Sequence, residues 1–272
     1  MNGAGDLGAA AGDGLGAALE AAAGAEPLLV ATDFDGVIAP FARDPMSVRP
    51  THGVMQTLRD LAAQPRVRVA LVSGRDLATL RRLSGLTPVD AVVLVGSHGA
   101  QSSDPSVESA MGSASVSAED LVRLDELESQ VRALVGARHP RARVERKAAG
   151  VVVHTRGLPD AIAGPALDEA AALGGDEPGV RVLAGKSVVE LSVSAADKGT
   201  ALLALSAAVH PRARVYLGDD VTDEDVFVRF EEPTDVTVKV GAGRTAARFR
   251  VPDTDAVAAL LTQLLAERSL RG

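Results

Sequence analysis

From position 27 onward, apolar residues alternate between short unbroken runs and stretches where they recur every third or fourth position. Leu28-Leu29-Val30-Ala31 is one such run; it leads to Asp33, and its length and composition predict a buried strand. Val54, Met55, Leu58, Leu61 and Ala62 keep helical spacing within 51–63. Arg66 to Val72 predicts a second strand that stops at Ser73-Gly74-Arg75, and a short helix follows through Leu77, Leu80 and Leu83. A third strand, Ala91 to Val95, stops at Gly96-Ser97-His98-Gly99. Strands alternating with helices imply a parallel sheet, with functional residues at the carboxyl ends of its strands.

Residues 101–117 are polar and Ser-rich and read as a linker. Beyond them the order changes to a helix (Leu121, Leu124, Leu127, Val131, Leu134), a strand pair around 142–155, a helix around 159–173 and a strand region around 180–194. From Asp197 the first style resumes: a helix through Leu202, Leu203 and Leu205, a strand from Arg214 to Leu217, a short strand over 235–240 and a helix from about Thr254 to Glu267. The expected fold is α/β, with a Rossmann-like parallel-sheet core over 27–103 and 195–272 and an inserted smaller α/β cap domain over 104–194. Residues 1–26 are a Gly/Ala tract that predicts a flexible or partly helical tail. It lacks the cationic start of a secretory signal, and no later run of about 18 uncharged apolar residues could span a bilayer, so a cytoplasmic protein is expected.

Hydrophobic residues at 46% and charged ones at 24% exclude a disordered chain. A formal charge of -8 argues against a continuous basic surface, hence against a nucleic-acid partner, while leaving room for a small anionic ligand in a local basic pocket, and the lack of a spanning run argues against a membrane partner. The absence of cysteine excludes disulfides and thiolate zinc sites, so any metal must be held by oxygen or imidazole. Lysine occurs only as Lys147, Lys186, Lys198 and Lys239, and every other cation is arginine. Each lysine is therefore a candidate for a role that a guanidinium cannot fill.

Asp33-Phe34-Asp35-Gly36 follows the first strand. If the chain stays extended, both carboxylates point to one side and could supply a nucleophile, an acid/base and a hard oxygen site for Mg²⁺; the alternative is ordinary turn chemistry. Gly218-Asp219-Asp220-Val221-Thr222-Asp223-Glu224-Asp225 follows another strand and is either a cation site or an acidic helix start. If the two strands are neighbours in one sheet, the two clusters meet. Ser73-Gly74-Arg75 could offer a hydroxyl and backbone N–H groups to a phosphoryl oxygen, or be a simple turn. Asp197 reads as a helix N-cap, and Lys198 just inside that helix runs against the dipole preference, so it either serves an anion or carboxylate or is an exposed lysine. His98, between glycines, is placed to face the same edge.

These four pieces, in this order, resemble the haloacid dehalogenase-like phosphatases over residues 28–260. The position of the inserted domain resembles the α/β-capped branch of that superfamily. Within it the chain looks most like the trehalose-6-phosphate phosphatases, through Gly96-x-His98-Gly99, Val144-Glu145-Arg146-Lys147, His154-Thr155-Arg156, Gly185-Lys186-x-x-x-Glu190 and the run from Gly218 to Phe227. The resemblance implies Asp33 as nucleophile forming an aspartyl-phosphate, Asp35 as acid and then base, and Ser73 and Lys198 as holders of the phosphoryl oxygens. It implies Mg²⁺ bound by Asp33, the Asp35 carbonyl and Asp219, with Asp223 in or next to the shell. It implies substrate binding by Gly74, Arg75 and His98, and by Glu145, Lys147, Arg156, Lys186 and Glu190 of the cap. The chain departs from the usual pattern at Ser97, where the family has Asn. The expected activity is Mg²⁺-dependent hydrolysis of trehalose 6-phosphate, with a small-molecule sugar phosphate as sole partner and no obligate protein partner. The rivals are phosphatases of other sugar phosphates, such as sucrose 6-phosphate, mannosyl-3-phosphoglycerate or a pseudo-disaccharide phosphate, and a non-catalytic sugar-phosphate sensor.

Overall fold

The computed structural model describes residues 14–111, 116–185 and 187–271. In chain order the elements are α1 (Leu15–Ala23), β1 (Leu28–Asp33), α2 (Val54–Ala62), β2 (Val67–Val72), α3 (Leu77–Ser84), β3 (Val92–Gly96), β4 (Gln101–Ser102), α4 (Pro105–Met111), α5 (Ala118–Arg138), β5 (Arg143–Arg146), β6 (Gly150–His154), α6 (Asp160–Gly175), β7 (Arg181–Gly185), β8 (Val188–Ser192), α7 (Lys198–Val209), β9 (Ala213–Gly218), α8 (Val221–Phe227), β10 (Val236–Val240), β11 (Phe249–Val251) and α9 (Thr254–Ser269). They divide into two compact units, Met1–Ala110 with Asp197–Gly272, and Met111–Ala196.

The larger unit is built on a sheet of order β11-β10-β9-β1-β2-β3-β4, in which only β4 runs antiparallel to its neighbour. Burial of all six residues of β1 follows from its central place, because a parallel strand covered on both faces has no solvent side. On one face Leu28, Val30, Val69, Leu71, Val215 and Leu217 form a core with α1, α2 and α9. On the other, Tyr216 packs edge-on against Phe227 and Phe230.

The smaller unit carries the antiparallel sheet β5-β6-β8-β7. Val151, Val153, Val189 and Leu191 pack against Leu124, Leu127 and Val131 of α5 and Ala170 of α6. The alternate residues of the same strands, Glu145, Val152, Glu190 and Leu183, share one row across the opposite face.

Of the flexible or partly helical tail expected over 1–26, Leu15–Ala23 is a helix, and what is corrected is its flexibility, because Leu15, Leu19, Ala22 and Ala23 are buried in the core; residues 1–13 lie outside the described residues. Buried Arg268 of α9 fixes its end by donating to the carbonyls of Ala23, Ala25 and Pro65. The polar stretch expected as a linker over 101–117 contains β4 and α4, because Asp104 accepts from the Ser106 N–H at 2.9 Å and starts a helix there.

Candidate active site

β1 and β9 are adjacent and parallel, with Thr32 opposite Leu217, so their carboxyl ends place Asp33 beside the turn that begins at Gly218. Ligand oxygens of Asp33, Asp219 and Asp223 all lie within 4.8 Å of one another. This is the meeting of clusters that the sequence made conditional on neighbouring strands. The chain does not stay extended beyond Asp33. The Phe34 N–H bonds back to Asp33 Oδ1 at 2.7 Å and Gly36 turns at φ +77, so the carboxylates of Asp33 and Asp35 take different partners. A Cβ on Gly36 would lie 2.2 Å from Asp219 Oδ2, so a side chain there would fill the space the Asp219 carboxylate occupies.

Lys198 is 2% exposed, which removes the surface-lysine reading. Asp197 caps α7 through the Thr200 N–H at 2.7 Å and so fixes where that helix begins. The Lys198 ammonium lies 2.7 Å from Asp223 Oδ1 and 2.9 Å from Asp33 Oδ2. Burial alone would lower its pKa, but the Asp223 and Asp33 carboxylates outweigh it and raise it. Asp223 accepts from Lys198 and from the Tyr216 hydroxyl (2.6 Å) on Oδ1, and from the Asp219 and Asp220 N–H groups (2.8 and 2.9 Å) on Oδ2. Against the cost of its burial, these donors hold its pKa below the usual carboxylate value. Four donors fill the acceptor positions of one carboxylate. Burial pushes Asp33 well up despite Lys198, with Asp223 and Asp219 adding to the shift. Burial, then Asp223, pushes Asp219 up to about 7.

Two lysines, Lys198 and Lys239, beside three carboxylates leave the cluster short of positive charge. Asp219 Oδ1 is buried without a hydrogen-bond partner, and the donor set is all carboxylate oxygen, the choice of a hard divalent cation such as Mg²⁺. The residues present fit that ion.

The loops after β2 and β3 are stitched together by Ser97 N–H to the Arg75 carbonyl (2.7 Å) and His98 N–H to the Ser73 carbonyl (3.0 Å). Ser73 is buried, and its hydroxyl accepts from the Arg75 N–H at 3.1 Å. The His98 ring sits against Gly74, where a Cβ would come within 2.5 Å of it. Arg75 grips Asp35 with a two-pronged fork, Nε to Oδ2 at 2.6 Å and Nη2 to Oδ1 at 2.7 Å.

In the smaller unit, Glu145 lies 3.0 Å from His154 Nε2 and 3.1 Å from Arg143, and Glu190, 7% exposed, accepts from Lys147 at 2.7 Å. Burial lowers the His154 pKa, with Arg143 adding to the shift, which favours the neutral ring. Arg156 is exposed just after β6. Lys186 lies outside the described residues. Three partners escaped the sequence reading: Tyr216 on Asp223, His154 on Glu145, and Lys239 on the Asp219 carbonyl. Tyr216 and Lys239 each left a signal, a polar side chain in a fully buried stretch of strand.

Residues 31–255 match the model of the trehalose-phosphatase family. A trehalose-phosphate phosphatase of Mycobacterium marinum is 33% identical over 254 residues, 88% of this chain and 62% of that protein. A Mycobacterium tuberculosis protein described as an uncharacterized glycosyl hydrolase is 35% identical over 249 residues, 85% of this chain and 18% of its own length. The chain therefore spans less than two thirds of either relative. Among solved structures, the C-terminal domain of a Candida albicans trehalose-6-phosphate phosphatase shares the fold at a TM-score of 0.75 and 22% identity, covering 93% of this chain and 96% of that one.

Proposed function

The chain belongs to the trehalose-phosphatase family, and on that premise we propose that it is a Mg²⁺-dependent phosphatase that hydrolyses trehalose 6-phosphate to trehalose and phosphate. The observation that carries the reading is the convergence of Asp33, Asp219 and Asp223 with buried Lys198 at the ends of β1 and β9. Phosphoryl transfer needs mainly positioning and compensation of negative charge. Mg²⁺, held by Asp33, the Asp35 carbonyl and Asp219, with Asp223 beside them, would supply positive charge against the phosphate.

The Asp33 carboxylate attacks phosphorus while the bond from phosphorus to the sugar oxygen breaks, and Asp35 gives that oxygen its proton. Water then attacks the aspartyl-phosphate, giving its proton to Asp35 and freeing Asp33 and inorganic phosphate. Lys198 and the Ser73 hydroxyl hold the phosphoryl oxygens. Arg75, expected to touch substrate, forks the ionised Asp35 carboxylate, the form that takes the proton from water, and releases it for the acid step. Gly74 and His98 shape the floor on which the phosphate sits. Glu145, Lys147, Arg156, Lys186 and Glu190 grip the sugar hydroxyls, a task suited to carboxylates that accept from hydroxyls and to cations that donate to them. Among the described residues no helix is long and apolar enough to cross a membrane. Action in the cytoplasm on a small-molecule substrate alone completes the proposal.

The test is phosphate release from trehalose 6-phosphate, sucrose 6-phosphate and glucose 6-phosphate, each with Mg²⁺ and with chelator. A Mg²⁺-dependent preference for the first is expected. Preference for another phosphate would keep the larger unit's chemistry and discard the sugar assignment, and binding without release would favour a sensor.

A further inference from the structure

Of the four lysines, Lys239 alone has no place in the reading above. It sits in β10, Val-Thr-Val-Lys-Val, a strand whose five residues are all buried, where an ammonium is costly unless it is paired. The β9–β10 ladder ends at Gly218 opposite Lys239, one residue short of Asp219. The Asp219 carbonyl therefore lies beyond the last rung, and the Lys239 ammonium donates to it. Glu224 Oε1, buried and without a hydrogen bond, lies 3.9 Å from the same ammonium. A lysine meets this need as a compact charge on a flexible stem, whereas the planar fork of an arginine suits carboxylates better than a single carbonyl.

We propose that Lys239 is a positioning residue for the cation site: it pins the Asp219 carbonyl and thereby aims the Asp219 carboxylate at Asp33 and Asp223. The inference rests on the Mg²⁺ reading of that site. Carbonyl and carboxylate leave the same Cα, so freeing the first lets the second wander. Groups that orient a metal ligand in this way typically change metal affinity by about ten- to a hundredfold when removed. Simple charge repulsion has the opposite sign, because deleting a cation beside the site would tighten Mg²⁺ binding. The direction of the change therefore separates positioning from electrostatics.

The experiment is calorimetric titration of Mg²⁺ into the substrate-free full chain, wild type beside Lys239→Met and Lys239→Arg. Lys239→Met is expected to bind about ten- to a hundredfold more weakly, and Lys239→Arg, which keeps a charged donor, more tightly than Lys239→Met. Unchanged or tighter binding by Lys239→Met, or no recovery in Lys239→Arg, overturns the proposal. If circular dichroism shows Lys239→Met unfolded, Lys239→Gln, one bond too short to reach the carbonyl, carries the same expectation. Absence of binding by the wild type would overturn the Mg²⁺ reading along with this one, whereas normal wild-type binding and an unaffected variant would overturn this one alone.

Discussion

Replacing Asp219 by asparagine removes a carboxylate that burial and the neighbouring Asp223 push from near 3.8 up to about 7. A carboxyl with a raised pKa binds more protons in the folded than in the unfolded chain, so between about pH 4 and pH 7 its contribution to stability falls as pH rises. Below that window the group is protonated in both states and costs nothing. At 1.36 kcal/mol per unit, holding this side chain in the folded, metal-free site costs about 1.5 kcal/mol at pH 5 and about 4 kcal/mol at pH 8. Asparagine has no such dependence. Asp219→Asn should therefore gain on the wild type by about 2–3 kcal/mol between pH 5 and pH 8, nearer the lower figure because Asp219 is part-exposed and solvent screens it. Urea denaturation followed by circular dichroism, in chelator at the two pH values, measures the difference. Adding Mg²⁺ should stabilise the wild type more at pH 8 than at pH 5 and leave the variant nearly unmoved. A stability difference that is the same at both pH values, or equal stabilisation of both proteins by Mg²⁺, would refute the reasoning.

Lys198→Met strands the buried carboxylates of Asp33 and Asp223, and a loss of about 3–5 kcal/mol in denaturant unfolding is expected at pH 7. Arg75→Met releases Asp35 from its fork; turnover of a sugar phosphate should fall by about 10²–10⁴-fold. In the first step alone, read as the burst of p-nitrophenol from p-nitrophenyl phosphate, whose leaving group needs no proton, the loss should be far smaller, and a burst slowed as much as sugar-phosphate turnover would argue against a role through Asp35. Gly36→Ala puts a Cβ where the Asp219 carboxylate lies, at a positive φ; a destabilisation of about 1–3 kcal/mol with weakened Mg²⁺ binding is expected, read by thermal melts with and without the ion.

What the sequence makes legible here is local. Leu28 to Ala31 and Val215 to Leu217 declare themselves because a buried parallel strand is an unbroken apolar run, and the carboxylates that follow break it sharply. That β1 and β9 lie side by side is a non-local fact, inferable only as a condition, and the whole site depends on it. Helix α1 hides in a Gly/Ala tract because small residues give little periodic contrast, and its burial comes from α9, at the far end of the chain. Residue types pointed to Asp33, Asp219 and Lys198, yet partners stayed out of reach: nothing local to Arg75 says that its guanidinium chooses Asp35, forty residues away. Lys239 shows the intermediate case, where scarcity of lysine marked the residue and only the end of the β9–β10 ladder explained it.

The central claim is that Asp33 is the nucleophile of a trehalose 6-phosphate phosphatase. The most direct measurement is phosphate release from trehalose 6-phosphate by Asp33→Asn beside the wild type, in one Mg²⁺ buffer, with circular dichroism confirming both folds. The account predicts rapid release by the wild type and a loss of about 10⁴-fold or more in the folded variant. Substantial release by Asp33→Asn would contradict it.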